Sequence, residues 1–372
     1  MKFDVVIGGA GLAGSTAARV FADAGKKVLV VEKHRHVAGH CHDFRDDAGI
    51  TVHTYGPHIF HTNDKGVWEF VRRFTDFHYL QHRVLSYAGG KLVPFPVNRD
   101  TINEVFGVNI ATGDVSAFLQ AEVERSKFNM PLRNFRDAVV SQVGERLYEL
   151  FFKNYTLKQW GRDPETLSPE IAKRIPVRSN RDDRYFSDRY QGVPGRGYTR
   201  MVENMLDHPG IAVMLGADYF DAIKSFAAPL SIFTGELDVY FGRKHGELAY
   251  RSLDIEFETL DRERFQEAPV VNYPNDYDWT RITEFKLLSG ETSKKTTVCY
   301  EYPKEKGEPY YVVMDDENMA KREKYIAETR ILEERPLGAG KVLFVGRLAE
   351  YTYYNMDQVI GATMKKVLPL VQ

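Results

Sequence analysis

Three glycines at fixed spacing, Gly9, Gly11 and Gly14, follow the apolar run Phe3 to Ile7 and precede the helix-forming stretch Ser15 to Ala24, which Gly25 closes. A second apolar run, Val28 to Val31, ends at Glu32, 18 residues beyond Gly14. Strand, glycine turn, helix, strand and acid in this order suit a dinucleotide. Gly9 gives the tight turn, Gly11 lets the backbone approach a pyrophosphate, and Gly14 lets helix and strand pack closely. The helix N-terminus then faces the phosphates, and Glu32 is placed for a ribose. A nicotinamide and a flavin dinucleotide fit this pattern equally well.

A second chemical feature is arginine. Residues 171–200 hold eight bases (Lys173, Arg174, Arg178, Arg181, Arg184, Arg189, Arg196, Arg200) against three acids. In a chain with 50 bases and 52 acids this is a local excess, read either as a solvated surface or as a phosphate-binding wall. It follows an aromatic helical stretch in which Val140, Val143, Leu147, Phe151 and Tyr155 share one face, with Tyr148 and Phe152 beside it. Histidines crowd residues 33–62, but no cysteine or carboxylate spacing makes them a metal site, and none is expected.

These residues need a scaffold. The 372 residues allow two or three domains, and 43% hydrophobic content supplies real cores. The aromatic share of 13% is high enough to expect flat ligands against aromatic walls as well as large cores. A net charge of −2 argues against a nucleic-acid surface. No apolar stretch approaches 18 residues, so no membrane span is expected. The two distant cysteines, Cys41 and Cys299, and a start without a signal peptide fit a cytoplasmic protein.

Along the chain, Trp68 to Phe77 reads as a helix, and Arg83 to Val97 as strands broken by a Gly89-Gly90 turn. Thr101 to about Trp160 reads as helical, with Asp114 capping Val115 to Val123. Extended segments follow at Leu237–Tyr240, 255–259, 270–273, 281–287, 297–302 and 310–313, and alternation at Ile255, Phe257 and Thr259 predicts a sheet with one wet face. Residues 320–333 return to helix. Val342 to Val345 forms a strand ending at Gly346-Arg347, and a last helix begins near Met356, so the C-terminus is expected to rejoin the first domain.

The segments Gly56-Pro57-His58-Ile59-Phe60-His61-Thr62, Phe151-Phe152-Lys153-Asn154-Tyr155-Thr156 with Trp160, Arg174, Val271-Asn272-Tyr273-Pro274, Thr280-Arg281-Ile282, Pro309-Tyr310-Tyr311 and Gly346-Arg347-Leu348 running into Tyr353-Tyr354-Asn355-Met356-Asp357 resemble the bacterial UDP-galactopyranose mutase family over essentially the whole chain. The resemblance implies an α/β fold: a discontinuous Rossmann-like FAD-binding domain (1–80, 198–228 and 318–372), a small helical domain (98–180) and a mostly antiparallel β-sheet domain (81–97, 181–197 and 229–317). It implies an isomerase that interconverts UDP-galactopyranose and UDP-galactofuranose, with FAD active when reduced. Reduced flavin attacks the anomeric carbon, with no net redox change. UDP, an external reductant and a homodimer partner are the other implied partners.

By the same resemblance, Arg174, Arg281 and His61 are catalytic. Phe151, Phe152, Tyr155, Thr156, Trp160, Asn272, Tyr311, Tyr353, Asn355 and His82 bind substrate. Gly9, Gly11, Leu12, Gly14, Glu32, Lys33, Gly39, His40, His58, Ile59, Gly346, Arg347, Met356 and Asp357 bind FAD. Two positions depart from the family pattern: Ala38-Gly39-His40 stands where many relatives have Gly-Gly-Asn, and Asn355 where some carry Asp. The alternatives are a sister mutase on another UDP-sugar and a flavin amine oxidase-like oxidoreductase.

Overall fold

The structure, a computed structural model, describes residues 2–128, 130–174 and 176–371, with the side chains of Lys173 and Arg174 outside the description. Short apolar runs build a five-stranded parallel sheet from β1 (Val5–Gly8), β2 (Val28–Glu32), β3 (Ile211–Leu215), β4 (Leu230–Phe233) and β5 (Lys341–Phe344). The order is β3-β2-β1-β4-β5, with Val5 opposite both Val28 and Leu230. Every residue of β1 and β2 is buried, because helices cover both faces of a parallel sheet. One covering layer holds Leu12–Asp23, Gly197–Leu206 and the last helix, Met356–Val367, whose Ile360 and Val367 share a core with Ala17, Phe21 and Met201. The opposite layer packs Tyr219, Leu237 and Tyr325 against Val6, Leu29 and Phe344. The chain thus leaves this sheet and returns to it twice, at Ile211 and at Lys341.

The second sheet has seven strands in the order Tyr311–Val312, Tyr250–Leu260, Thr296–Lys304, Arg281–Glu284, Val270–Asn272, Val84–Ala88 and Lys91–Phe95. All pairings are antiparallel except Val270–Asn272 with Val84–Ala88. Gly89 and Gly90 both take positive φ, as a two-residue hairpin turn requires. Pro94 is tolerated because its strand lies at the sheet edge. On the outer face, Val271, Ile282 and Tyr300 stand opposite one another in register. Val271 and Ile282 are buried while Tyr87, Tyr273, Tyr277, Trp279, Tyr300 and Tyr302 form a partly exposed ring layer. Part of the high aromatic content therefore shields a sheet face.

Against the Val84–Phe95 hairpin of the second sheet packs a helical lobe: Arg99–Phe106, Val115–Arg125, Phe135–Leu147, a π-helical turn Tyr148–Lys153 and Asn154–Trp160. Its core joins Val140, Val143, Leu147 and Phe151 to Val84, Val93 and Phe95 of the hairpin.

Several local expectations change. Leu237–Tyr240 is a short helix, not a strand; a four-residue apolar run carries no period that separates the two. β4 at Leu230–Phe233 lies beside β1, so the stretch 229–317 does not all belong to the antiparallel sheet. The first surface helix is Lys65–Val71, capped by Asp64 accepting from Val67 N at 3.0 Å, and Phe77 begins a strand instead. Asp114 precedes Val115–Arg125 in helical conformation and makes no side-chain cap. Asp316–Glu333 starts earlier than expected, because Asp315 caps it through Asn318 N. Phe257 is 42% exposed, so the alternation at 255–259 does not bury that residue.

Candidate active site

The glycines act as their spacing suggests. Gly9 has φ +108, and a Cβ there would stand 2.0 Å from Thr234 Oγ1. A Cβ on Gly14 would stand 1.9 Å from Gly9 O. Gly11 faces Gly39 across the turn, where a Cβ on Gly39 would approach Gly11 Cα to 3.1 Å. Gly11 offers no side-chain cap to the helix Leu12–Asp23, so its first N–H groups point at whatever binds there. Glu32 is buried; its carboxylate accepts from Ala10 N at 2.7 Å and from His34 N at 2.9 Å, which fixes the glycine turn.

Beside this turn opens a cavity of about 360 Å³. Of the residues expected at FAD it is lined by Gly9, Gly11, Leu12, Glu32, Lys33, Gly39, His40, His58, Gly346, Arg347 and Met356. Gly14 serves packing from behind. Ile59 is turned into a separate core with Ile50, Val52 and Phe285, and Asp357 sits in the first turn of the last helix without lining the cavity. Glycine cradle, uncapped helix start and ribose-side acid together fit a dinucleotide. Arg347 donates to Tyr354 O and Tyr310 O, tying the two tyrosine pairs together. Burial pushes the His58 imidazole down to about 3, so it is neutral, and pushes the Cys41 thiol up to about 12, so it is inert.

Sequence reasoning missed Glu308 at this cavity. Its Oε1 lies 3.3 Å from Lys33 Nζ, 3.5 Å from His34 Nε2 and 3.2 Å from His40 Nε2. The departure at His40 thus has a partner on the other domain. Ala38, in the same departing triplet, takes φ +74, a conformation that favours glycine.

A second group gathers around Arg281. Its Nε lies 2.5 Å from Oε1 of Glu301, the residue directly opposite in the sheet register and 1% exposed. Burial alone would lower the guanidinium, but Glu301 pushes it well above its ordinary value, so it stays charged. Asn272 is its neighbour in register on the other side. The Tyr155 phenol lies within electrostatic reach of Arg281, Tyr185, Glu301 and Tyr311. Trp160, Tyr311 and Tyr353 form a triangle with ring centroids 5.8 to 6.4 Å apart. Burial pushes Tyr155 and Tyr185 up and Tyr311 up to about 12, so these phenols are neutral O–H donors at ordinary pH. His82 is 4% exposed, is pushed down to about 3 by burial, with Arg281 also lowering it, and has no partner on Nδ1 among the described residues. Glu301 and Tyr185 carried no local motif; only the pairing register and the fold bring them here.

Other expected residues have structural work. Phe151 and Phe152 are each 3% exposed and pack against Phe95 in the core of the helical lobe. Thr156 is buried beside them in the chain. His61 Nδ1 lies 2.7 Å from Asp188 Oδ2, and its ring stacks on Phe186 at 3.7 Å, with Phe186 in turn on His82. Asn355 starts the last helix, where its N–H donates to Gln358 Oε1. The Arg174 side chain lies outside the described residues. Four of the eight bases at 171–200 are spent locally: Arg184 is paired bidentately with Asp182, Arg181 with Asp100 and Arg200 with Glu203, while Arg178 donates to the carbonyls of Asp182 and Arg184. Among the described residues no three ligand-type side chains gather for a metal, and no helix is long and apolar enough to cross a membrane.

Comparison with known proteins bears on this arrangement. Residues 150–353 match the family model "UDP-galactopyranose mutase", and residues 7–74 match an NAD(P)-binding Rossmann-like domain. The chain is 36% identical to a probable UDP-galactopyranose mutase of Klebsiella pneumoniae, covering 97% of this chain and 93% of the relative. It is 35% identical to a dTDP-fucopyranose mutase of Escherichia coli (96% and 95% covered) and 30% identical to a UDP-galactopyranose mutase of Mycoplasma pneumoniae (100% and 97%). A crystal structure of reduced UDP-galactopyranose mutase superposes with TM-score 0.79 at 17% identity, covering 100% of this chain and 96% of that one. A putrescine oxidase structure, at TM-score 0.57 and 13% identity, shares the fold alone. The α/β fold with its Rossmann-like domain, the full-length likeness and the family match agree, and the chain belongs to the UDP-galactopyranose mutase family.

Proposed function

We propose that this protein is a flavin-dependent isomerase that interconverts UDP-galactopyranose and UDP-galactofuranose. The observation that carries this is a charged Arg281, held by buried Glu301 among neutral tyrosines, in a cluster whose Tyr353 ring lies against Arg347 of the glycine-turn cavity. Reduced FAD, once bound, would supply the nucleophile for the anomeric carbon; the protein then has to bind, orient and screen charge.

Arg281 and Arg174 would face the diphosphate, where the departing group gains charge. A guanidinium already fixed by Glu301 needs no reorganisation to stabilise it. Tyr311 and Tyr353 would donate phenol O–H groups to the same oxygens. Tyr155 would stack on the uracil, with Thr156, Trp160 and Asn272 as further contacts and Asn355 and His82 on the sugar side. Neutral His82 could either donate to or accept from a hydroxyl. His61, held by Asp188, would orient the rings at the flavin edge. Phe151 and Phe152 support the Tyr155 helix from the core.

The test is chromatography of UDP-galactofuranose after incubation with the protein, with and without dithionite. Conversion only under reducing conditions supports the proposal, and equal conversion without reductant sinks it. A sister activity on dTDP-fucopyranose has nearly equal sequence support, 35% against 36% identity. The same assay with dTDP-fucofuranose separates the two. FAD would be identified by the absorbance of the purified protein, and a homodimer by its solution mass.

A further inference from the structure

The helix Asn154–Trp160 that carries Tyr155, Thr156 and Trp160 also carries Lys158. Its ammonium donates to Tyr273 O at 3.0 Å, Asn275 O at 2.6 Å and Tyr277 O at 2.5 Å, with Trp279 O at 3.5 Å. These carbonyls belong to one irregular loop, flanked in sequence by Asn272 and Arg281. The loop makes few ladder bonds, so its carbonyls turn inward. Converging carbonyl oxygens repel one another unless a donor sits among them, and an ammonium supplies three N–H groups and a positive charge. Burial lowers the Lys158 pKa, as expected of an ammonium drawn out of water into such a cage.

Two further ties fix the same helix to the same sheet. Asn154 Nδ2 donates to Asn275 Oδ1 at 2.9 Å, and Asn275 Nδ2 to Leu150 O at 3.0 Å. Arg251, 6% exposed, donates to the terminal helix carbonyls of Lys158 and Gln159. Gly161 ends the helix with φ +59, and a Cβ there would stand 2.6 Å from the Arg251 guanidinium. Both ends of the Tyr155 helix are therefore sewn to the sheet that holds Arg281.

We propose that Lys158 is a positioning residue: its ammonium, caged by the 273–279 carbonyls, sets the distance between the Tyr155 helix and the strand that presents Asn272 and Arg281. These two walls of the cleft then stand at a fixed separation before a nucleotide diphosphate binds. This rests on the functional reading given above.

The test uses the flavin-loaded protein with Lys158→Met, Lys158→Gln and Lys158→Ala. Expected are KM and UDP Kd raised about tenfold or more in Lys158→Met, with kcat changed less. Lys158→Gln, whose amide can serve two carbonyls, should lie between and carries the test if the methionine variant does not fold. In Lys158→Ala, ammonium chloride should restore UDP affinity at concentrations where choline chloride does not, because a free ammonium can enter the cage. Wild-type KM and UDP affinity in Lys158→Met overturn the proposal. So does a loss in kcat alone that no cation relieves. UDP affinity is read apart from turnover: a wild-type protein that binds UDP but isomerises no UDP-galactose sinks the activity reading and leaves the Lys158 test standing.

Discussion

Arg281 and Glu301, the buried pair on which the proposed function rests, should also be costly to break. Removing the guanidinium leaves a carboxylate that is 1% exposed without its counter-charge. Arg281→Ala should therefore lose about 3–5 kcal/mol of stability, read by urea unfolding. Turnover should fall about 10²- to 10³-fold as a diphosphate donor is lost. The double variant Arg281→Met with Glu301→Gln should regain much of the stability and none of the activity; recovery of both would show that the pair acts only in folding. At Tyr155 the expectation differs. Tyr155→Ala should weaken UDP binding by about 1–3 kcal/mol, the usual worth of one stacked base, with kcat changed less. Isothermal titration with UDP checks it, and an unchanged Kd removes Tyr155 from the uracil site.

At the scale of the element, the glycine turn and the loop beside it are tightly specified. Gly14→Ala drives a methyl group to within 1.9 Å of Gly9 O. Overpacking of this kind costs about 1–3 kcal/mol, and it should also displace the helix start and release the dinucleotide. Flavin absorbance after gel filtration reads this directly, and a fully loaded variant would contradict it. Ala38 is the opposite case. It sits at φ +74, a strain of about 1–2 kcal/mol for a residue with a Cβ. Part of that gain is offset by the added freedom of glycine in the unfolded chain. Ala38→Gly should raise the melting temperature slightly, and a clear fall would show that Ala38 makes contacts worth more than its strain.

At the scale of the whole molecule, Glu308 joins the antiparallel sheet to the loop of Lys33, His34 and His40 across the cavity beside the glycine turn. The hydrogen bond that the His34 imidazole donates to the Glu308 carboxylate raises His34 above its ordinary 6.5. The resulting stability is complete below that value and is lost as pH rises through the higher folded one. Burial alone would raise Glu308, but the hydrogen bonds it accepts from His34 and His40 hold it well below the ordinary 4.5 of a glutamate. That contribution is present above 4.5 and is lost as pH falls through the lower folded one. The gap in melting temperature between wild type and Glu308→Gln should therefore be widest from about pH 4.5 to 6.5 and narrow on either side. A gap independent of pH would show that the histidines do not hold the carboxylate.

Much of this protein was legible in its residues, for local reasons. The glycine turn, its helix and Glu32 need only steric fit and a peptide dipole, which neighbours in sequence provide. The Gly89-Gly90 hairpin and the strand that rejoins the first sheet near Val342 are likewise written in short stretches. Family likeness named Arg281, Tyr155, Tyr311 and Tyr353, which gather at one site, whereas four of the eight bases at 171–200 are spent on nearby acids and carbonyls. Glu301, Tyr185, Lys158 and Glu308 were silent because each acts through a partner 20 or more residues away in the chain. Register across the sheet sets Glu301 against Arg281, and an irregular loop folds its carbonyls around Lys158. Such pairings depend on how long, separate segments come to rest on one another, which no local propensity encodes. Leu237–Tyr240 failed for the same cause: four apolar residues carry no period, and only the neighbouring sheet decides their shape.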